Sequence, residues 1–239
     1  MSETSAASLP PVFHAHRDVA QWTAAAVADI RAALLQAIDG IGRARLLASG
    51  GTTPAPIYRA LATVPLDWDR VDIGLVDERW LPIGDRDSNA QLIRETLLTG
   101  FAKTAHFQSM RLPDQTFSDA VLAANRSFAS ASVAVLGMGP DGHTASLFPG
   151  MRDLASALAS SADFIGVDAR GCKGAGAWPQ RISITPAGLR KIATRLLLIR
   201  GEQKRSLIRR ALDGSDSLEL PVRALFSLPG APLQIHWCP

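Results

Sequence analysis

The chain has 239 residues, 47% of them hydrophobic, enough to bury one sizeable core, and it is read as a single domain over residues 1–239. Its 25 Lys and Arg against 22 Asp and Glu leave a scattered net charge of +3, which excludes the basic footprint of a nucleic-acid binder and leaves a slight bias toward small anions. Cys172 and Cys238 have neither a zinc nor a disulfide spacing, and the sequence shows no leader and no run near the ~18 apolar residues of a spanning helix, so a soluble, cytoplasmic protein with no membrane partner is expected.

In chain order, Val19, Trp22, Val27, Ile30, Leu34 and Ile38 recur at helical spacing, predicting a long amphipathic helix between His16 and a stop at Gly40. Strand-like runs follow at 45–48, 71–76, 132–136, 164–167, 181–185 and 195–199, interleaved with helical patterns at 54–63, 89–99, 117–129, 186–191 and 202–212. This alternation predicts an α/β three-layer sandwich, a mostly parallel sheet with helices on both faces. Residues 171–179 and 214–220 read as surface loops and 234–237 as a short last strand.

The first strand runs into Ser49-Gly50-Gly51-Thr52-Thr53-Pro54. Glycine amides, hydroxyls and a helix opened by Pro54 make either an anion cradle suited to phosphate or an ordinary strand-to-helix turn. It is not a Walker loop, because no Gly-Lys-Ser/Thr follows. Past the second strand, Asp77-Glu78-Arg79-Trp80 puts three charges at a strand end, either as solvated loop charges or as ligand groups.

The densest segment is Leu136-Gly137-Met138-Gly139-Pro140-Asp141-Gly142-His143-Thr144-Ala145-Ser146-Leu147-Phe148-Pro149. It ends an apolar strand in a glycine-rich turn and delivers one imidazole where open α/β sheets bind ligands. Gly137-x-Gly139-x-x-Gly142 also matches a dinucleotide fingerprint, with Asp163 about 20 residues on as the ribose acid. Pro149 and Gly150 end the segment within about two turns, leaving no long helix to face a pyrophosphate, and that reading is rejected.

Lys204, in the first turn of the 202–212 helix, stands at the wrong end of the dipole for a cation; it is either a solvated lysine or the partner of a bound anion. Arg181 is either a surface arginine or an anion clamp. His14, His16, His106 and His236 share no metal spacing with His143 or with one another, so no metal site is expected. No Gly-x-Ser-x-Gly elbow occurs, which argues against a serine hydrolase of the α/β-hydrolase kind.

Ser49 to Pro54, Asp77-Glu78-Arg79, Ser88-Asn89, Gly137 to Pro149, Gln180-Arg181-Ile182-Ser183 and Gly201-Glu202-Gln203-Lys204, taken in order across nearly the whole chain, resemble the 6-phosphogluconolactonases. The resemblance implies a Rossmann-like fold shared with glucosamine-6-phosphate isomerase/deaminase. It also implies hydrolysis of 6-phospho-D-glucono-1,5-lactone to 6-phospho-D-gluconate, the second step of the oxidative pentose phosphate pathway, with no metal or organic cofactor. By it, His143 is the catalytic base, with Asp141 and Arg79 in the catalytic set. Ser49, Gly50, Gly51, Thr52 and Lys204 hold the phosphate, and Asp77, Gly139 and Arg181 complete the substrate site. Asp141 either orients His143 or serves the backbone of its own turn. The implied partner is a phosphorylated sugar lactone, bound by a monomer or homodimer.

Two other functions compete. The related deaminases carry an acidic residue five places after the histidine, where this chain has Phe148, and tend to an aromatic residue where it has Arg79. A non-catalytic sugar-phosphate-binding regulator would keep the cradle and lose His143, which is present.

Overall fold

The computed structural model describes residues 8–239. In chain order the elements are β1 (Val12–Ala15), α1 (Val19–Ile41), β2 (Ala44–Ala48), α2 (Ala55–Leu61), β3 (Val71–Leu75), β4 (Asp77–Arg79), α3 (Asn89–Thr96) and β5 (His106–Phe107). They continue with α4 (Phe117–Ser127), β6 (Ala131–Gly137), α5 (Leu154–Leu158), β7 (Phe164–Asp168), β8 (Gln180–Ile184), α6 (Pro186–Arg190), β9 (Ile192–Arg200), α7 (Glu202–Leu212) and β10 (Gln234–Cys238).

Seven strands form one sheet in the order β1-β10-β9-β6-β2-β3-β5, and every neighbouring pair is parallel. Parallel sheets are covered on both faces, so their strands are apolar throughout rather than alternating. Leu46, Ile73, Val133 to Leu136 and Leu196 to Ile199 are accordingly all buried. Helix α1 packs on β2, β6 and β10 through Trp22, Ala26, Ile30, Ala33, Leu34 and Ile38. Its start is capped by Asp18, whose carboxylate accepts from Gln21 N–H.

The expected stop at Gly40 is displaced. Gly40 is the penultimate helical residue, and the helix ends at Gly42, whose φ of 78° supplies the left-handed cap and whose N–H donates to Ile38 O. Helix α3 ends at Thr96, short of the expected 99. Strands β1, β4 and β5 and helix α5 carry no periodic signal, being only two to five residues long.

A larger correction concerns β7 and β8, expected in the main sheet. They form a second, antiparallel sheet in the order β4-β8-β7. The chain leaves the main sheet after Leu75, and Val76 O accepts from Ile184 N–H, which seats β8 beside β4. Local periodicity marks a strand but not its partner, so this pairing was not legible in the sequence.

Strand pairing also brings three histidines together, which their spacing did not indicate. Because β1 pairs with β10, with His14 opposite His236, the rings of His14, His16 and His236 stack at 4.7–6.5 Å. Asp29 of α1 lies 3.0 Å from His236. Burial lowers the His236 pKa to about 4 against the pull of Asp29, and His14 and His16 add to the lowering.

Candidate active site

From β2 the sheet winds outward one way through β3 to β5 and the other way through β6, β9 and β10. The loops after β2 and β6 therefore diverge, leaving a crevice at the point where open α/β sheets take ligands. A cleft of about 220 Å³ lies there, walled by Ser49–Pro54, by Gly137–Gly139 with His143 and Ala145, and by Asp77, Arg79, Asn89, Arg181 and Lys204.

The wall after β2 is shaped by a close approach. A Cβ on Gly50 would overlap the amide of Asn89, so the bare Cα lets α3 dock against the turn. Ser49 Oγ is buried with no hydrogen-bond partner among the described residues, an exposed cost that a ligand oxygen would remove.

The wall after β6 carries the imidazole. Gly139 N–H donates to His143 O at 2.9 Å and Gly142 N–H to Gly139 O at 3.1 Å, closing the turn. No helix begins at Gly142, the next being α5, and Asp163 is held 2.7 Å from Lys191, so the dinucleotide reading stays rejected. Asp141 Oδ1 accepts from His143 N–H at 3.2 Å and from His143 Nδ1 at 2.5 Å, so it serves both the backbone and the ring. A carboxylate on Nδ1 places the proton there and leaves Nε2 as the basic nitrogen. Burial pushes the Asp141 carboxyl up, but the hydrogen bond and charge of His143 outweigh it and hold the pKa below the ordinary value. Beyond His143, Ala145 takes a left-handed φ of 47°, a strained conformation for a residue with a Cβ. Phe148 is fully buried with its ring 4.4 Å from that of His143.

Strand β4 brings in the charges. Arg79 and Arg181 are register partners. Arg79 donates to Asp87 O at 2.6 Å, while Arg181, stacked over Phe148 at 5.1 Å, donates to the carbonyls of Ala175 and Trp178. Burial lowers the Arg181 pKa, with Asp77 opposing and Arg79 adding to the effect. Asp77 is buried, its carboxylate accepting from Ser146 Oγ at 2.6 Å and Asn89 Nδ2 at 3.2 Å, with Arg181 at 4.0 Å. Neighbouring Glu78 turns away from the cleft and accepts from the backbone N–H groups of Arg79, Asn89 and Ala90. Burial pushes its pKa up to about 7 even against those amides. It tethers the start of α3. Lys204, in the first turn of α7, has no acidic partner among the described ion pairs, and burial lowers its pKa.

The cleft thus collects Ser49, Gly50, Gly51, Thr52, Asp77, Arg79, Gly139, His143, Arg181 and Lys204, with Asp141 behind His143. Thr53, Asn89, Met138 and Ala145 also line it without having been assigned a role. All four had a signal in their place within the Ser49–Pro54, Ser88-Asn89 and Gly137–Pro149 motifs, and Thr53 carries a hydroxyl besides.

The chain belongs to the family described as glucosamine-6-phosphate isomerases/6-phosphogluconolactonase, whose model matches residues 17–237. It is 50% identical over 224 residues to a 6-phosphogluconolactonase of Xylella fastidiosa, covering 92% of this chain and 93% of that one. It is 37% identical to the 6-phosphogluconolactonase of Pseudomonas putida, covering 97% and 95%. A crystal structure of a 6-phosphogluconolactonase from Shewanella baltica superposes with a TM-score of 0.88 at 30% identity, covering 98% and 100%.

Proposed function

We propose that this chain is a lactone hydrolase that opens 6-phospho-D-glucono-1,5-lactone to 6-phospho-D-gluconate, working as a single domain in the cytoplasm within the oxidative pentose phosphate pathway. The observation that carries this is the Asp141–His143 pair at 2.5 Å on one wall of a cleft that also holds Arg79, Arg181 and Lys204, the last without an acidic partner among the described ion pairs. The names of its relatives agree.

Water bound beside His143 gives a proton to Nε2 as its oxygen attacks the lactone carbonyl. The tetrahedral oxyanion is met by a cleft arginine, Arg79 being the nearer to solvent. The carbon–ring-oxygen bond then breaks and the imidazolium returns its proton to the departing oxygen, so one imidazole serves as base and then acid. Asp141 keeps the proton on Nδ1 throughout. At the other end, the Ser49 to Thr52 turn and Lys204 take the phosphate. A deaminase reading lacks its acid, because Phe148 is an apolar ring packed on His143.

The test is acid release from freshly made 6-phosphogluconolactone, with spontaneous hydrolysis subtracted, beside ammonia release from glucosamine 6-phosphate. Rapid lactone opening with no ammonia is expected. Ammonia at a comparable rate would reverse the assignment.

A further inference from the structure

Two glycines from separate segments lie against the Asp141–His143 pair. Gly139 belongs to the same turn as the pair; Gly174 belongs to the loop joining β7 to β8 and does not line the cleft. A Cβ on Gly139 would overlap the His143 ring and come within 2.6 Å of Asp141 Oδ1. A Cβ on Gly174 would come within 2.8 Å of His143 Nδ1 and closer still to Asp141 Oδ2.

Neither glycine has a positive φ, so the backbone at each would accept alanine. Gly171 and Gly176 of the same loop are the opposite case, with φ of 84° and 59° and open space where a Cβ would stand. At Gly174, contact with the dyad is what excludes a side chain. The loop is not free to give way. Ala169 N–H donates to Pro179 O at 2.9 Å, Arg181 donates to Ala175 O at 2.7 Å and to Trp178 O at 2.8 Å, and Trp178 Nε1 donates to Asp87 at 3.2 Å.

We propose that Gly174 is a positioning residue for the hydrolysis: its bare Cα packs on the Asp141–His143 hydrogen bond from outside the cleft and, with Gly139, clamps the imidazole with Nε2 toward the substrate. The inference rests on the reading of His143 as the base. It also gives Arg181 a second task, holding the loop that presses on the dyad.

The test compares Gly174→Ala with Ala177→Ser, which adds one heavy atom at an exposed position of the same loop. In Gly174→Ala, kcat is expected to fall about tenfold or more with KM changed less than about twofold, since a small misplacement of a catalytic group acts on the chemical step. Two NMR readouts separate positioning from general loosening. The downfield His143 Nδ1 proton is lost or shifted, and the Asp141 carboxyl titrates at higher pH because the bond that offsets its burial is weakened. Ala177→Ser leaves all of these as in the parent protein. If Gly174→Ala is too unstable to assay, adding Asp141→Ala removes the nearest obstructing atoms and restores folding. Parent-like kcat, Nδ1 signal and Asp141 titration in Gly174→Ala would overturn the proposal, as would an equal loss in Ala177→Ser or failure of Asp141→Ala to rescue. Absence of lactone hydrolysis in the parent protein instead sinks the functional reading, while the NMR comparison still decides whether Gly174 seats the dyad.

Discussion

Arg79 and Arg181 stand directly opposite one another across the antiparallel β4–β8 pair. Like charges at facing positions repel, and here burial adds to the cost at Arg181. Asp77 relieves it only in part, since its oxygens are shared with Ser146 and Asn89. A bound oxyanion would complete the balance. Arg79→Ala is therefore expected to lower kcat about 10²–10³-fold, the usual loss for one oxyanion donor, with a smaller change in KM. Steady-state kinetics on fresh lactone decide this, and a loss confined to KM would assign Arg79 to ground-state binding.

His143→Ala should lower kcat about 10²–10⁴-fold with little change in KM. Asp141→Asn should lose activity on a similar scale while leaving the fold intact, because an amide in that place no longer fixes the proton on Nδ1. Turnover near that of the parent enzyme in either variant removes that residue from the mechanism.

Lys204 is a cation near a helix start, partly buried and without an acidic partner among the described ion pairs. Lys204→Ala should weaken binding of the phosphorylated lactone by roughly 1.5–3 kcal/mol, as for other charge-assisted contacts. Unphosphorylated gluconolactone should be nearly indifferent to the change. Inorganic phosphate should compete with substrate in the parent enzyme and less in the variant. Equal losses in kcat/KM for both lactones would place Lys204 at the reacting end or in folding instead.

The stacked histidines predict a dependence of stability on pH. His236 titrates near the ordinary 6.5 when unfolded and at about 4 when folded, so between these values the unfolded chain binds more protons. Stability contributed by its neutral form is present above about 6.5 and is lost as pH falls toward 4. Burial, with His14 adding to it, also lowers the His16 pKa, so protonation of His16 works in the same direction. Thermal unfolding followed from pH 7 to pH 4 should show Tm falling more steeply for the parent protein than for His236→Gln. Parallel slopes would show that carboxylates elsewhere carry the acid sensitivity.

The sequence by itself determined the class of fold and where the chemistry could lie. Alternating apolar strands and helical periodicities, such as 132–136 and 202–212, are local patterns, and so are the turns that end them at Ser49-Gly50-Gly51 and Gly139-Pro140-Asp141. Each depends on neighbouring residues alone, through side-chain period and backbone freedom. Helix ends were less legible: Gly40 reads as the stop, and the left-handed φ of Gly42 places the cap two residues later. The tertiary structure decided everything that depends on pairing between distant segments. It moved β7 and β8 into a second sheet, placed Arg79 opposite Arg181, stacked His14, His16 and His236, tied Asn89 to Gly50, and pressed the Gly174 loop onto Asp141 and His143. Strand partnership is set by which buried surfaces and backbone donors are left to satisfy once the whole chain is collapsed, and no window of local sequence contains that information.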